Sequence, residues 1–262
     1  MTPTAPALSR RTIVAEVVIV LAVTFGMSGV RSLLRLIDSV LSPVALNQQQ
    51  VTLNSTQSQF AWLDVALQLC SAGVLFAWGA LALYLLRSRP RRCALADAAL
   101  GAGLAALIGI PGLAFYAVAL HQGWTKEVIP GSFSNPWVEV PAQLLWAGAN
   151  AFGEEVVVVF WLTARLSALV PHAAAARNTA PAPASLGWPA WAAIAASAVL
   201  RGSYHLYQGV SAGFGNLAMG LIFGYFYHRT GHLWPLVVAH FLIDAVAFVG
   251  YALIGNAEFL RW

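Results

Sequence analysis

The sequence predicts an all-α fold: a polytopic bundle of about seven transmembrane helices. Three observations lead there. Of the 262 residues, 59% are hydrophobic and 9% are charged, whereas a soluble domain carries about 25% charged residues. The apolar residues fall in long continuous runs, and a bilayer core needs roughly 20 of them per helical span. Backbone polar groups in lipid must be satisfied within the segment, so continuous runs of this kind are helices. A barrel would need short alternating strands, which the runs do not offer.

Taken in order, the first span covers about 12–30. It follows Ser9-Arg10-Arg11, which loosely resembles a twin-arginine export signal. Glu16 interrupts the apolar stretch and no small-x-small cleavage site ends it, so it reads as a retained span. Arginines interleaved with leucines near 31–41 suggest an amphipathic surface helix. The second span, 60–86, ends in Arg87, Arg89, Arg91 and Arg92. The third, 97–120, contains Pro111 between Gly109 and Gly112, where a kink is expected. The fourth, 138–168, contains GEEVVVV. From His172 to Pro183 the chain is rich in alanine and proline and reads as a flexible loop. The fifth span, 189–208, ends in RGSYHLYQ. The sixth, 212–228, places Gly220 and Gly224 at a spacing that lets a neighbouring helix approach closely. The seventh covers 233–255. Residues 1–137 form an N-terminal three-helix region and 138–262 a polar-bearing core, within a single integrated membrane domain.

The net charge of +4 comes mostly from arginines beside these runs. That pattern fits contact with anionic lipid and sets orientation, and it gives no support for nucleic-acid binding. With seven alternating spans, Arg10, Arg11, Arg87 to Arg92, Arg165, Arg177 and Arg229 fall on one face. The positive-inside rule makes that face, and the N-terminus, cytoplasmic. Arg31, Arg35, Lys126 and Arg261 fall on the other. Cys70 and Cys93 alone form neither a disulfide framework nor a metal motif.

Ionisable residues inside a membrane are costly and are candidates for function by default. Glu154 and Glu155 lie in the fourth span, Arg201 and His205 in the fifth, His240 and Asp244 in the seventh. Arg201 shares a face with His205, and His240 with Asp244, because residues four apart are neighbours on a helix. Glu154 and Glu155 point about 100° apart. One carboxylate is therefore expected to do chemistry while the other braces a neighbouring helix. Glu16 and Asp64, isolated in the first two spans, read as ordinary satisfied contacts. Tyr204, Tyr207, Gln208 and Asn216 either line the same cavity or form an interfacial belt.

Glu-Glu in one helix, a histidine ending the next and His-x-x-x-Asp in a later one resemble the CPBP family. These are the CAAX prenyl endopeptidases and the bacteriocin-processing or immunity proteins also called Abi, including those similar to lysostaphin-resistance A. The resemblance covers about 140–250. It implies an intramembrane endopeptidase built around a water-filled chamber in the bilayer, acting on a membrane-associated or prenylated peptide or protein. It implies that Glu154 with His205 activates the attacking water, and that His240 with Asp244 steadies the oxyanion. The setting is expected to be a bacterial cell membrane.

Two positions depart from the family's pattern. Val159 stands where the first motif has Arg, and Arg201 stands where the second usually has Phe. A swap across helices follows, with the Arg201 guanidinium neutralising Glu155. Arg165 is a poorer substitute, since ten residues place it about 15 Å along the helix. Asp244, as a carboxylate, would repel an oxyanion unless it is protonated, orients His240 or binds a metal. Glu154, His205, His240 and Asp244 also make a ligand set acceptable to zinc, though no His-Glu-x-x-His motif is present. The metal-free mechanism is the preferred one. A non-catalytic immunity or scaffold protein is the alternative, and a small transporter ranks below it because no inverted repeat is seen.

Overall fold

The computed structural model describes residues 8–129, 136–170 and 188–250. The first apolar run is broken. Helix α1 (Arg10–Val23) starts at Ser9, whose Oγ accepts the Thr12 N–H at 3.1 Å, an N-cap that satisfies one orphan donor. At Thr24 the backbone leaves helical geometry and α2 (Phe25–Leu41) sets off at a 51° bend. Apolar Val30, Leu33, Leu34 and Ile37 of α2 face outward, while Ser32 and Ser39 are buried. The amphipathic reading of 31–41 thus extends over the whole of α2.

Helices α3 (Ala61–Leu86) and α4 (Leu95–His121) are long apolar rods. Asp64 near the start of α3 accepts the backbone N–H groups of Gln57 and Ser58 at 2.5 and 3.2 Å. Helix α4 continues through Pro111 as one element. Two short strands, β1 (Gln50–Thr52) and β2 (Glu127–Ile129), pair in parallel at one end of the bundle. Helix α5 (Pro136–Glu154) passes into a π-helical segment, Glu155–Trp161, and then into α6 (Leu162–Ala168). This Pro136–Ala168 unit is the central column, and Val156, Val157, Val158, Val159 and Trp161 are sealed from solvent.

Around that column α7 (Trp188–His205) packs along α8 (Val210–Thr230), and α9 (Trp234–Ala245) lies against α4 and α5. A Cβ on Gly220 would lie 2.7 Å from Ala198 Cα, so the backbones of α7 and α8 touch only because no side chain intervenes. The turn into α9 is fastened by His232, which lies between Asp97 Oδ1 at 3.1 Å and Arg91 Nη1 at 3.0 Å. A second π-helical segment, Val246–Gly250, follows α9.

The chain is an integral membrane protein of all-α class. Among the described residues, four helices are long and apolar enough to cross a bilayer, or five if the bent α1–α2 pair is one span. The expected seven spans are not reached by length and composition, for a physical reason. Helix α7 carries Ser197, Arg201, Ser203 and His205, and the helical stretch Trp234–Gly250 is shorter than a full span. The expected flexible loop from His172 to Pro183 lies outside the described residues, as do Arg177 and Arg261.

Candidate active site

Glu154 closes α5 and Glu155 opens the π-helical segment. π turns occur mostly as short insertions in helices, often at functional sites. Here the run of four valines crowds the α-helical backbone with β-branched side chains. Partners from outside the ladder meet the carbonyls in this stretch. Ser197 Oγ on α7 donates to the Val158 carbonyl at 2.6 Å, and Thr163 Oγ1 donates to that of Val159.

The two carboxylates straddle one guanidinium. Arg201 Nη2 lies 2.6 Å from Glu155 Oε1 and Nη1 lies 3.2 Å from Glu154 Oε2. Arg201 is fully buried, with its Cζ 5.6 Å from the centre of the Phe223 ring. An unpaired buried carboxylate costs several kcal/mol, and a directly bonded cation offsets much of that. Glu155 Oε1 also meets His240 Nδ1 at 2.7 Å. A carboxylate can only accept, so His240 donates from Nδ1 and its Nε2 is the atom that faces the site. Glu155 therefore braces α7 and α9 at once.

Glu154 is placed differently. Its Oε2 accepts from the Tyr204 hydroxyl at 2.5 Å. His205 Nε2 lies 3.9 Å and His240 Nε2 4.0 Å from the same oxygen. Those distances exceed a hydrogen bond. His205 Nε2 is buried without a partner among the described residues. The other His205 nitrogen, Nδ1, is 3.4 Å from Gln208 Nε2. Asp244 Oδ2 is 3.6 Å from His240 Nε2 and accepts from Asn150 Nδ2 at 2.8 Å.

His205 is the last residue of α7, and the chain turns through Leu206–Gln208 before α8 begins. That turn is tied down from two sides. Ser32 Oγ of α2 accepts the Tyr207 N–H at 2.6 Å, and the Lys126 N–H donates to the Gln208 carbonyl at 2.9 Å. Gly209 has φ +130°, and a Cβ there would come within 2.5 Å of Thr125 Cα, so glycine is required. Burial pulls the Lys126 ammonium at this rim below its ordinary range; Asp38 opposes the shift and Arg35 adds to it.

All six residues singled out from the sequence therefore converge: Glu154, Glu155, Arg201, His205, His240 and Asp244. Arg165 lies elsewhere and pairs with Glu16 at 2.7 Å. Val159 is fully buried among Met219, Phe223, Leu236 and Ala239, where an arginine would overpack the core. The motif reading missed the role of Asn150 and left that of Tyr204 open. The available signal was spacing: Asn150 is one turn before Glu154, and Tyr204 is three residues after Arg201.

The donor set does not fit a metal. Among the described residues, no group of three or more His, Cys, Asp or Glu is arranged to hold one. Glu154 Oε2, the oxygen nearest both imidazoles, is already engaged by Tyr204 and by the Arg201 cation. A divalent ion bound there would face that guanidinium at close range.

Fold and cluster together define a class: a membrane-embedded helical bundle whose polar centre joins carboxylates, imidazoles and a guanidinium. Residues 136–246 match the family described as Type II CAAX prenyl endopeptidase Rce1-like, which bears out the resemblance read from the motifs. The match runs from the start of α5 to just past α9 and contains every residue of the cluster, while α1 to α4 lie outside it. No curated protein and no solved structure matches the chain.

Proposed function

We propose that this protein is an intramembrane endopeptidase that hydrolyses a peptide bond of a membrane-associated or lipid-anchored peptide. The observation that carries the reading is the convergence of Glu154 Oε2 with two imidazole Nε2 atoms at 3.9 and 4.0 Å, one of them buried without a partner. Gaps of that length between polar atoms suit a single bridging water.

In this reading Glu154 takes a proton from the water and His205 orients it. The attack forms the C–O bond as the carbonyl π electrons move to oxygen, and the tetrahedral oxyanion accepts a hydrogen bond from Nε2 of His240, which acts as the imidazolium with its other proton directed from Nδ1 to Glu155. Collapse breaks the C–N bond, and the proton held by Glu154 passes to the departing amine. A donor placed where charge develops stabilises the transition state selectively, most of all where bulk water is excluded. Tyr204 and Arg201 steady Glu154, and Glu155 fixes the His240 ring through Nδ1. Asp244 orients His240 from the other side.

The lipid bilayer is the surrounding partner, and a lipid-anchored substrate would approach from it. Residues 138–262 are the catalytic region, and the arginine-rich face and N-terminus are cytoplasmic. The deciding experiment compares peptides released by cells expressing the wild-type protein or Glu154→Gln. Peptides that appear only with the wild type are expected; identical profiles, with both proteins present at equal levels, would count against hydrolysis and for a scaffold.

A further inference from the structure

We propose that Asn150 is a positioning residue of the site: its side-chain amide holds the Asp244 carboxylate against His240. This rests on the peptidase reading only where His240 is given a catalytic task; the contact stands on geometry.

Asn150 and Glu154 are four residues apart on α5 and share a face. From there Asn150 Nδ2 reaches across to α9 and donates to Asp244 Oδ2 at 2.8 Å. On its own helix Asp244 has one polar neighbour, His240, at 3.6 Å, beyond a direct hydrogen bond. Among the described residues Asn150 is therefore the group that directly fixes where the Asp244 carboxylate points. The amide is also neutral. It satisfies a carboxylate lone pair without placing another cation beside Arg201 and His240.

The consequence falls on the His240 ring. Its Nδ1 is fixed by Glu155 at 2.7 Å, and its Nε2 lies between Asp244 Oδ2 at 3.6 Å and Glu154 Oε2 at 4.0 Å. With Asn150 present, the acceptor on the Nε2 side stays in one place. Without it, the Asp244 side chain is free to change rotamer, and the environment of Nε2 changes with it.

The test is a double-mutant cycle on the full chain in detergent, read in two ways. The first is steady-state cleavage of a quenched fluorescent prenylated peptide ending in a CAAX sequence. Asn150→Ala is expected to lower kcat about tenfold with KM within about twofold, but to cost less than about twofold when added to Asp244→Ala, which leaves the amide no acceptor there. Equal losses in both backgrounds would assign Asn150 to packing and overturn the proposal. The second reading needs no activity: the imidazole 15N resonances of His240. They are expected to move on Asn150→Ala in the native background and to stay put in the Asp244→Ala background. Unmoved resonances in the native background overturn the proposal. If the resonances move as expected but the wild type cuts none of the peptides tested, the peptidase reading fails and the positioning role stands.

Discussion

Two polar clusters in this protein share their basic chemistry, an arginine paired with a carboxylate between helices, the first buried and the second partly exposed. In the first, Arg201 bridges Glu154 and Glu155, with His205, His240, Tyr204 and Asp244 around them. In the second, Arg165 Nε meets Glu16 at 2.7 Å, Arg165 Nη2 donates to the Leu85 carbonyl at 2.7 Å, and Trp161 Nε1 donates to Glu16 at 3.0 Å. The second ties α1, α3 and α6 together, and among the described residues none of its polar atoms is buried without a partner. The first leaves Glu155 Oε2, Arg201 Nε and His205 Nε2 buried and unpartnered among the described residues. An unsatisfied buried polar group costs free energy that packing alone would not retain. The comparison separates a structural clasp from a site prepared for something else.

The contrast can be broken at several points. Removing the proposed base is expected to have the largest effect: Glu154→Gln lowers the cleavage rate about 10²- to 10⁴-fold, measured on the fluorescent peptide, with thermal unfolding little changed. Arg201→Met strips the cation from two carboxylates and is expected to destabilise the protein by about 3–5 kcal/mol, seen as a marked drop in unfolding temperature in detergent. Tyr204→Phe removes one hydrogen bond to a charged group, and a loss of about tenfold in kcat/KM is expected; no loss would exclude Tyr204 from steadying Glu154.

In the clasp the same kind of change should be milder. Glu16→Gln is expected to cost about 1 kcal/mol in stability and to leave turnover unchanged, because Trp161 retains an acceptor. Chelation should have the smallest effect. With Arg201 already on Glu154, o-phenanthroline treatment followed by dialysis is expected to leave the cleavage rate unaltered, and a loss restored by zinc would reverse that assignment.

Much of the site is legible in the sequence because an acid or a histidine in an apolar run is rare enough to be noticed singly. The pairs Arg201/His205 and His240/Asp244 followed from helical periodicity. Asn150 was not legible in this way, since an amide in a helix draws no attention until the carboxylate opposite it is known. Nor was the π-helical register of Glu155–Trp161, since a valine run reads equally as α-helix. Glu16 was read as an ordinary contact and has an ordinary structural partner, but its partner Arg165 lies 149 residues away. The break at Thr24 was also invisible, since apolar residues continue on both sides of it.

The sequence by itself determined the solvent, the class of secondary structure and the inventory of ionisable groups, because hydropathy and helical period are local properties of the chain. Only the tertiary structure decided which groups meet. Pairing across α5, α7 and α9 depends on helix depth and close approach, here through Gly220 and the turn at Gly209. It also made one arginine a bridge between two glutamates and another a clasp for Glu16. Coulomb attraction falls off with distance in space and is indifferent to separation along the chain, so no spacing rule could have assigned those partners.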